Sequence, residues 1–227
     1  MPFPRIGEQV REVQQRISEA VRRGGHGQSV QIVAVTKTYG PEAAAAAWVA
    51  GVRIVGENRI QEALEKMDRV PEPVEWHLIG HLQRNKAKHL DRFSMFHALD
   101  SERLANAISE RNEVSERRMP VLVQVNVSGE ETKGGFDLEE LRALAPRLAA
   151  MRGIEVKGTM TMAPYEAPER VLREVFGRCR EAASVLREAG LDARELSMGM
   201  SGDFEVAVEE GATMVRLGTI LFGARMP

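Results

Sequence analysis

Short apolar runs rich in β-branched residues alternate along the chain with longer, charge-laden stretches of helical period. The runs at 31–37 (QIVAVTK), 52–57, 75–80, 95–100, 120–127, 153–160, 195–200 and 214–222 predict eight strands. Between them, 41–50, 59–69, 101–116, 137–151 and 167–189 predict helices, and a shorter acidic one surrounds Phe204–Glu210. A further helix is expected over 6–23, where Ile6, Val10, Val13, Ile17, Ala20 and Val21 share one face before Gly24-Gly25 stops it. Pro41 and Pro168 stand where helices begin, and Ser101 and Asp137 are the expected N-caps. The basic stretch Arg84, Lys86, Lys88 and His89 reads as a solvated helix face.

Strands that are apolar on both faces and alternate with helices imply a parallel sheet covered by helices. Eight such units favour an α/β fold of the (β/α)8 TIM-barrel type, with the N-terminal helix as an extra element and residues 1–227 as a single domain. An open doubly wound sheet is the alternative on pattern alone. In a barrel, residues that act on ligands are expected at the carboxyl ends of the strands.

Composition narrows the setting. The 227 residues carry 31 basic and 33 acidic side chains, a net charge of −2, which gives no electrostatic reason to expect a nucleic-acid partner. No apolar run approaches the roughly 18 residues of a membrane span, and the N-terminus lacks a secretion pattern. The single cysteine, Cys179, leaves no internal disulfide and reads as structural, so a cytoplasmic protein is expected, with a monomer favoured.

The chemistry concentrates at the predicted strand ends. Lys37 closes the first strand on the face of Val33 and Val35, so if those two fill the barrel its ammonium points inward, where it needs an anion, loses its proton or is modified. The other reading is a solvated lysine past the strand end. Asn58, in Gly56-Glu57-Asn58-Arg59, is either an N-cap or a side chain reaching over the mouth. His77 and His81 straddle the third strand's end, off any helix and without acidic or cysteine companions, so no metal site is expected. Ser197-Met198-Gly199-Met200-Ser201-Gly202-Asp203 brings glycines and a hydroxyl to the start of a helix, and the eighth strand carries Arg216-Leu217-Gly218-Thr219, a second glycine and hydroxyl. Both suit a phosphate dianion or are simple turn chemistry. Arg216, on the same strand face as Gly218, needs an acceptor inside the barrel: a ligand ring nitrogen or a carboxylate. Gly158–Pro164 serves equally as core filling or ligand wall, and Lys133 reads mainly as an exposed loop lysine.

Five ordered motifs, AVTKTY around Lys37, GENRIQEA from Gly56, WHLIGHLQRNK from Trp76, GTMTMAP from Gly158 and LSMGMSGDFEVAVEEGATMVRLGTILFG from Leu196, resemble the pyridoxal phosphate homeostasis proteins (YggS/PROSC family) over about residues 5–225. The resemblance implies a barrel similar to the alanine racemase N-terminal domain that binds pyridoxal 5′-phosphate (PLP). It implies an imine on Lys37, a phosphate held around Met200, Ser201, Gly202, Gly218 and Thr219, Arg216 facing the pyridine nitrogen, and Asn58 near the ring. Thr36 departs from a frequent serine, Gly202 from a common alanine, and Thr159 occupies the GxM position.

Two classes of function follow from the resemblance. A PLP-dependent racemase needs a second base opposite lysine, which its relatives take from a C-terminal β-domain. That domain is not expected in this chain, and Tyr39 and Tyr165 match no such motif. An arginine at the pyridine nitrogen also disfavours ring protonation and mutes the electron sink. The expectation is a carrier without efficient catalysis that shields PLP or delivers it to apo PLP-dependent enzymes.

Overall fold

The computed structural model describes residues 2–126 and 134–223. Eight parallel strands close in sequence order: β1 (Gln31–Val35), β2 (Ile54–Glu57), β3 (Glu75–Leu78), β4 (Met95–Leu99), β5 (Met119–Gln124), β6 (Ile154–Met160), β7 (Glu195–Ser197) and β8 (Met214–Leu217). Val33 pairs with Ile54 of β2 on one side and Arg216 of β8 on the other, so the sheet has no edge and the open-sheet alternative is excluded.

Around the barrel run α1 (Ile6–Gly24), α2 (Pro41–Val49), α3 (Ile60–Met67), α4 (Glu102–Val114), α5 (Leu138–Ala150), α6 (Glu169–Glu188), α7 (Phe204–Glu209) and α8 (Thr219–Phe222). The basic stretch Arg84–Arg92 coils as a 3-10 segment between β3 and β4. Helix α1 buries its expected apolar stripe, and Gly25 ends it in the left-handed region at φ 71°, its N–H donating to Val21 O. Its polar face binds α7: Arg16 pairs with Glu205 and Arg23 with Glu209, while Arg173 of α6 reaches Glu209 from the other side at 2.6 Å. Each pair is partly solvated and worth little alone. Together they hold α7, which follows directly on the glycine-rich loop.

Several boundaries differ from the pattern. The run 214–222 is strand only to Leu217, where it pairs with Ala34. Beyond that β7 has ended and β1 has only Val35 left, so the ladder stops and Thr219–Phe222 coils into α8. There Phe222 packs against Phe3 and Tyr39 at ring separations of 5.2 and 5.3 Å. The strand predicted over 195–200 likewise stops at Ser197. Asp137 caps α5 with a full capping box shared with Glu140, whereas Ser101 precedes α4 without a side-chain capping bond. Asn58 is no N-cap, since α3 begins after Arg59.

Alternation along the strands sorts the barrel interior into layers. Val33, Ile54 and Met214 form a small apolar cluster separate from the main core between strands and helices. One step further along the same faces come Val35, Gly56 and Arg216, and the next step reaches Lys37, Asn58 and Gly218 at the mouth. A Cβ on Gly56 would come within 2.8 Å of Val33 Cγ1, so glycine there leaves room for its neighbours.

Candidate functional site

A cavity of about 1150 Å³ opens at the carboxyl ends of the strands. All eight residues singled out in the sequence line it: Lys37 after β1, Asn58 after β2, Met200, Ser201 and Gly202 after β7, and Arg216, Gly218 and Thr219 from β8 and its turn. Lys37 is half-buried there.

The loop between β7 and α7 is shaped by its own backbone. Met200 N–H donates to Asp203 Oδ1 at 2.5 Å, and Asp203 N–H returns to Met200 O at 3.1 Å. Burial pushes the Asp203 carboxyl up, against the pull of the Met200 N–H and the Arg216 charge. Gly199, at φ 92°, lies where a Cβ would meet Ala207 Cβ at 2.6 Å, so no side chain fits. At Gly202 a Cβ would meet nothing within 4 Å, so the alanine common in similar sequences would fit in space. The Ser201 hydroxyl oxygen faces the N–H groups of Gly218 and Ile220 at 3.4 Å each. Two backbone donors and a hydroxyl thus converge on one corner of the cavity, a donor set suited to an anion.

Arg216 crosses the floor of the cavity. One terminal nitrogen donates to Ser197 O and Ser197 Oγ at 2.7 and 2.8 Å, and the other to Thr161 O at 2.8 Å. None of these acceptors is charged. Burial pulls the guanidinium down to about 10, with Asp203 and Cys179 opposing, and it remains a cation at neutral pH. Ser197 Oγ in turn lies 2.9 Å from His97 Nδ1, and His97 Nε2 lies 2.9 Å from His77 Nδ1. Burial takes His77 down to about 4 and His97 well below its ordinary value, so both rings are neutral. Hydrogen counting then sets a direction. Ser197 accepts from Arg216, so its one proton goes to His97 Nδ1; the reverse would strand a buried hydroxyl proton. His97 therefore carries its proton on Nε2 and donates to His77. The chain Arg216→Ser197→His97→His77 points every donor away from the cation, so its dipoles do part of a counter-ion's work.

The two histidines of the WHLIGH motif therefore separate: His77 belongs to this buried chain, while His81 sits on the cavity rim, 2.9 Å from Asp100 Oδ2. Met162 and Pro164 also line the cavity, so the Gly158–Pro164 segment contributes to the cavity wall as well as to the core. Thr159 faces the other way, its hydroxyl donating to Cys179 O at 3.0 Å. Burial pushes the Cys179 thiol up to about 11, a structural cysteine. Lys133 lies outside the described residues.

Sequence reasoning missed three features. His97, twenty residues from His77, carried no local signal. Tyr165 lines the rim, highly exposed, where the sequence had set it aside. Behind the wall, Glu57 and Lys66 are buried together with 2.7 Å between Nζ and Oε1. The spacing Glu62–Lys66 was visible as an i,i+4 pair; its burial was not.

Among the described residues no helix is long and apolar enough to cross a membrane. The family described as "Alanine racemase, N-terminal domain" matches residues 9–226. A pyridoxal phosphate homeostasis protein of Aquifex aeolicus is 43% identical over 223 residues, covering 96% of this chain and 97% of its own. PipY of Synechococcus elongatus PCC7942, solved with PLP bound, superposes with a TM-score of 0.85 at 34% identity, covering 96% of this chain and 100% of that one. Alanine racemase from Corynebacterium glutamicum, at 21% identity, shares the fold with a TM-score of 0.71 over 93% of this chain and 61% of its own. The chain belongs to the pyridoxal phosphate homeostasis protein family, on an alanine racemase-like barrel.

Proposed function

We propose that the cavity binds PLP, and that this chain, as one PLP-binding domain over residues 1–227, holds the cofactor for intracellular PLP homeostasis and does no efficient chemistry of its own. The observation that carries the reading is the meeting of Lys37 with a buried Arg216 whose hydrogen-bond acceptors are all neutral. An arginine so placed keeps N–H capacity for a ligand acceptor, which a pyridine nitrogen supplies. The donor corner at Ser201, Gly218 and Ile220 suits the phosphate, with Met200, Gly202 and Thr219 around it, and Asn58, on the cavity wall, would face the ring. The residues present therefore fit the group. Bound PLP supplies an aldehyde that joins an amine and a ring that draws electrons.

Within this reading Lys37 is the covalent anchor. Arg216, cationic at neutral pH, keeps the pyridine nitrogen unprotonated and so weakens electron withdrawal. A racemase reading has one observation in its favour, Tyr165 at the rim. Its hydroxyl is pushed up by the neighbouring Glu166, which opposes use as a proton acceptor. We place the protein in the cytoplasm as a monomer, with apo PLP enzymes as recipients and neither nucleic acid nor membrane as partner.

The test is the visible spectrum of purified protein with added PLP, before and after borohydride, beside Lys37→Ala. The expected result is a yellow band trapped as an adduct on Lys37 and missing from the variant. With an apo-enzyme as acceptor, activity should return faster than from free PLP at the same free concentration. A protein that no added PLP turns yellow would overturn the covalent anchor, and recovery no faster than from free PLP would overturn delivery.

A further inference from the structure

Lys37 stands between two threonines, and both are held from outside the barrel wall. Lys66 of α3 and Glu57 at the end of β2 are buried there, between strand and helix. Lys66 Nζ donates to Glu57 Oε1 at 2.7 Å, Glu62 Oε1 at 2.8 Å and Thr36 O at 2.8 Å, which uses all three ammonium hydrogens. The Thr36 hydroxyl donates to the same Glu57 oxygen. On the other side of Lys37, Glu62 Oε1 accepts the Thr38 N–H at 2.7 Å. Thr38 adopts φ 70°, a left-handed conformation that disfavours a β-branched residue and persists where surrounding bonds impose it.

We propose that Glu57, Lys66 and Glu62 form a clamp that positions Lys37, gripping the residue before it by its carbonyl and hydroxyl and the residue after it by its N–H. The inference rests on the reading of Lys37 as the PLP anchor. Stability alone is a poor reason for this arrangement. Taking two charges out of water costs about as much as their pairing returns, and apolar replacements often do as well. The clamp also leaves Glu57 Oε2 buried without a partner. Burial pushes the Glu57 carboxyl up against the pull of Lys66 and Thr36, while Glu62, partly desolvated, is still held low by Lys66 and the Thr38 N–H. What the clamp delivers is geometry. A lysine ammonium on a four-carbon stem has wide reach, and fixing the backbone on both sides of its Cα narrows where the amine can go. Glu57, Lys66 and Glu62 are positioning residues, since they act through the backbone of the turn.

The test compares the full-length parent with Glu62→Ala, Glu62→Gln, Lys66→Met and, as a control, Ser109→Ala. Ser109 donates to Glu113 and accepts from Gly153 N–H, in a part of α4 that does not line the cavity. Three quantities are read: PLP affinity by absorbance, the borohydride-trapped adduct on Lys37, and amide exchange of the segment 36–39 without PLP. Glu62→Ala should weaken PLP binding about tenfold and speed exchange of the segment, because small displacements of a reacting group are expensive. Glu62→Gln, which keeps an acceptor for the Thr38 N–H, should recover most of both. Ser109→Ala should lower thermal stability and leave affinity within about twofold of the parent. If Lys66→Met fails to fold, Glu62→Ala decides alone, since Glu62 is only partly buried. Parent-like affinity and exchange in Glu62→Ala, with the adduct still on Lys37, overturn the clamp and leave the PLP reading standing. A parent that forms no Lys37 adduct overturns both.

Discussion

Two buried cations flank the barrel wall near the cavity, Arg216 on the inner face and Lys66 on the outer, and their surroundings differ in kind. Lys66 has two carboxylates and a carbonyl, which use its three hydrogens. Arg216 has two carbonyls, a hydroxyl and, behind them, two neutral imidazoles. A cation hydrogen-bonded by carboxylates makes no further demand on a ligand. One hydrogen-bonded only by neutral groups, with the Asp203 carboxylate acting on it through space, remains attractive to an acceptor that enters the cavity. The two faces of the wall thus carry one charge bound by carboxylates and one bound only by neutral acceptors.

Removing each cation should separate the two cases most sharply. Lys66→Met leaves Glu57 as an uncompensated buried carboxyl and should lower unfolding stability by about 3–5 kcal/mol without PLP. Arg216→Met strands neutral hydrogen-bond acceptors, removes only a through-space charge from Asp203 and sheds a buried charge, so it should cost no more than about 2 kcal/mol. Denaturant unfolding of the PLP-free proteins measures both, and equal losses would erase the distinction.

Acid should cost stability first through the inner network. His77 and His97 have folded-state values below their ordinary ones, so the unfolded chain binds protons that the native chain refuses. Their contribution is complete above about pH 6.5 and lost as the pH falls towards 4, about 3 kcal/mol for His77 alone. Glu62, held low, loses its contribution only below the usual carboxylate range, while Glu57, pushed up, resists protonation less in the folded state and so offsets part of that loss. Unfolding midpoints between pH 7 and 4 should therefore fall steeply in the parent and less steeply in His77→Leu. An unchanged slope in the variant would remove the histidines from the account.

Hydroxyl deletions give the finest comparison. Ser197→Ala cuts a bond to a cation and one to an imidazole, and should cost about 2 kcal/mol. Thr36→Val removes one bond to Glu57 and should cost about 1 kcal/mol, while Thr36→Ser keeps the hydroxyl, loses one buried methyl and should cost about 0.8 kcal/mol. Thermal unfolding ranks the three, and a Thr36→Ser loss exceeding that of Thr36→Val would show that the methyl matters more than the hydroxyl.

The barrel and its mouth were legible because strand alternation is a local signal that a closed parallel sheet amplifies. Placing Val33 inside places Val35 and Lys37 on the same face, and the same step carries Met214 to Arg216 and Gly218. What failed was whatever a neighbour decides. Thr219–Phe222 looked like strand because apolar content does not reveal that adjacent strands have ended. Ser101 and Asp137 were equal candidates for capping, yet only Asp137, with Glu140 three residues on, makes the bond. The histidine chain joins residues from four strands, and Lys66, set among glutamates on a short helix, has the sequence character of a surface residue. Long-range pairing of polar groups has no period to read.

The apolar layer of Val33, Ile54 and Met214 has a consequence for traffic. With that layer and the Arg216–His77 chain filling the barrel beneath the cavity, the site is a cul-de-sac. Among the described residues nothing opens the lower end, so a molecule that enters at the mouth, where Tyr165 and His81 stand, would also leave by the mouth. Anything covering that mouth would govern departure and arrival alike.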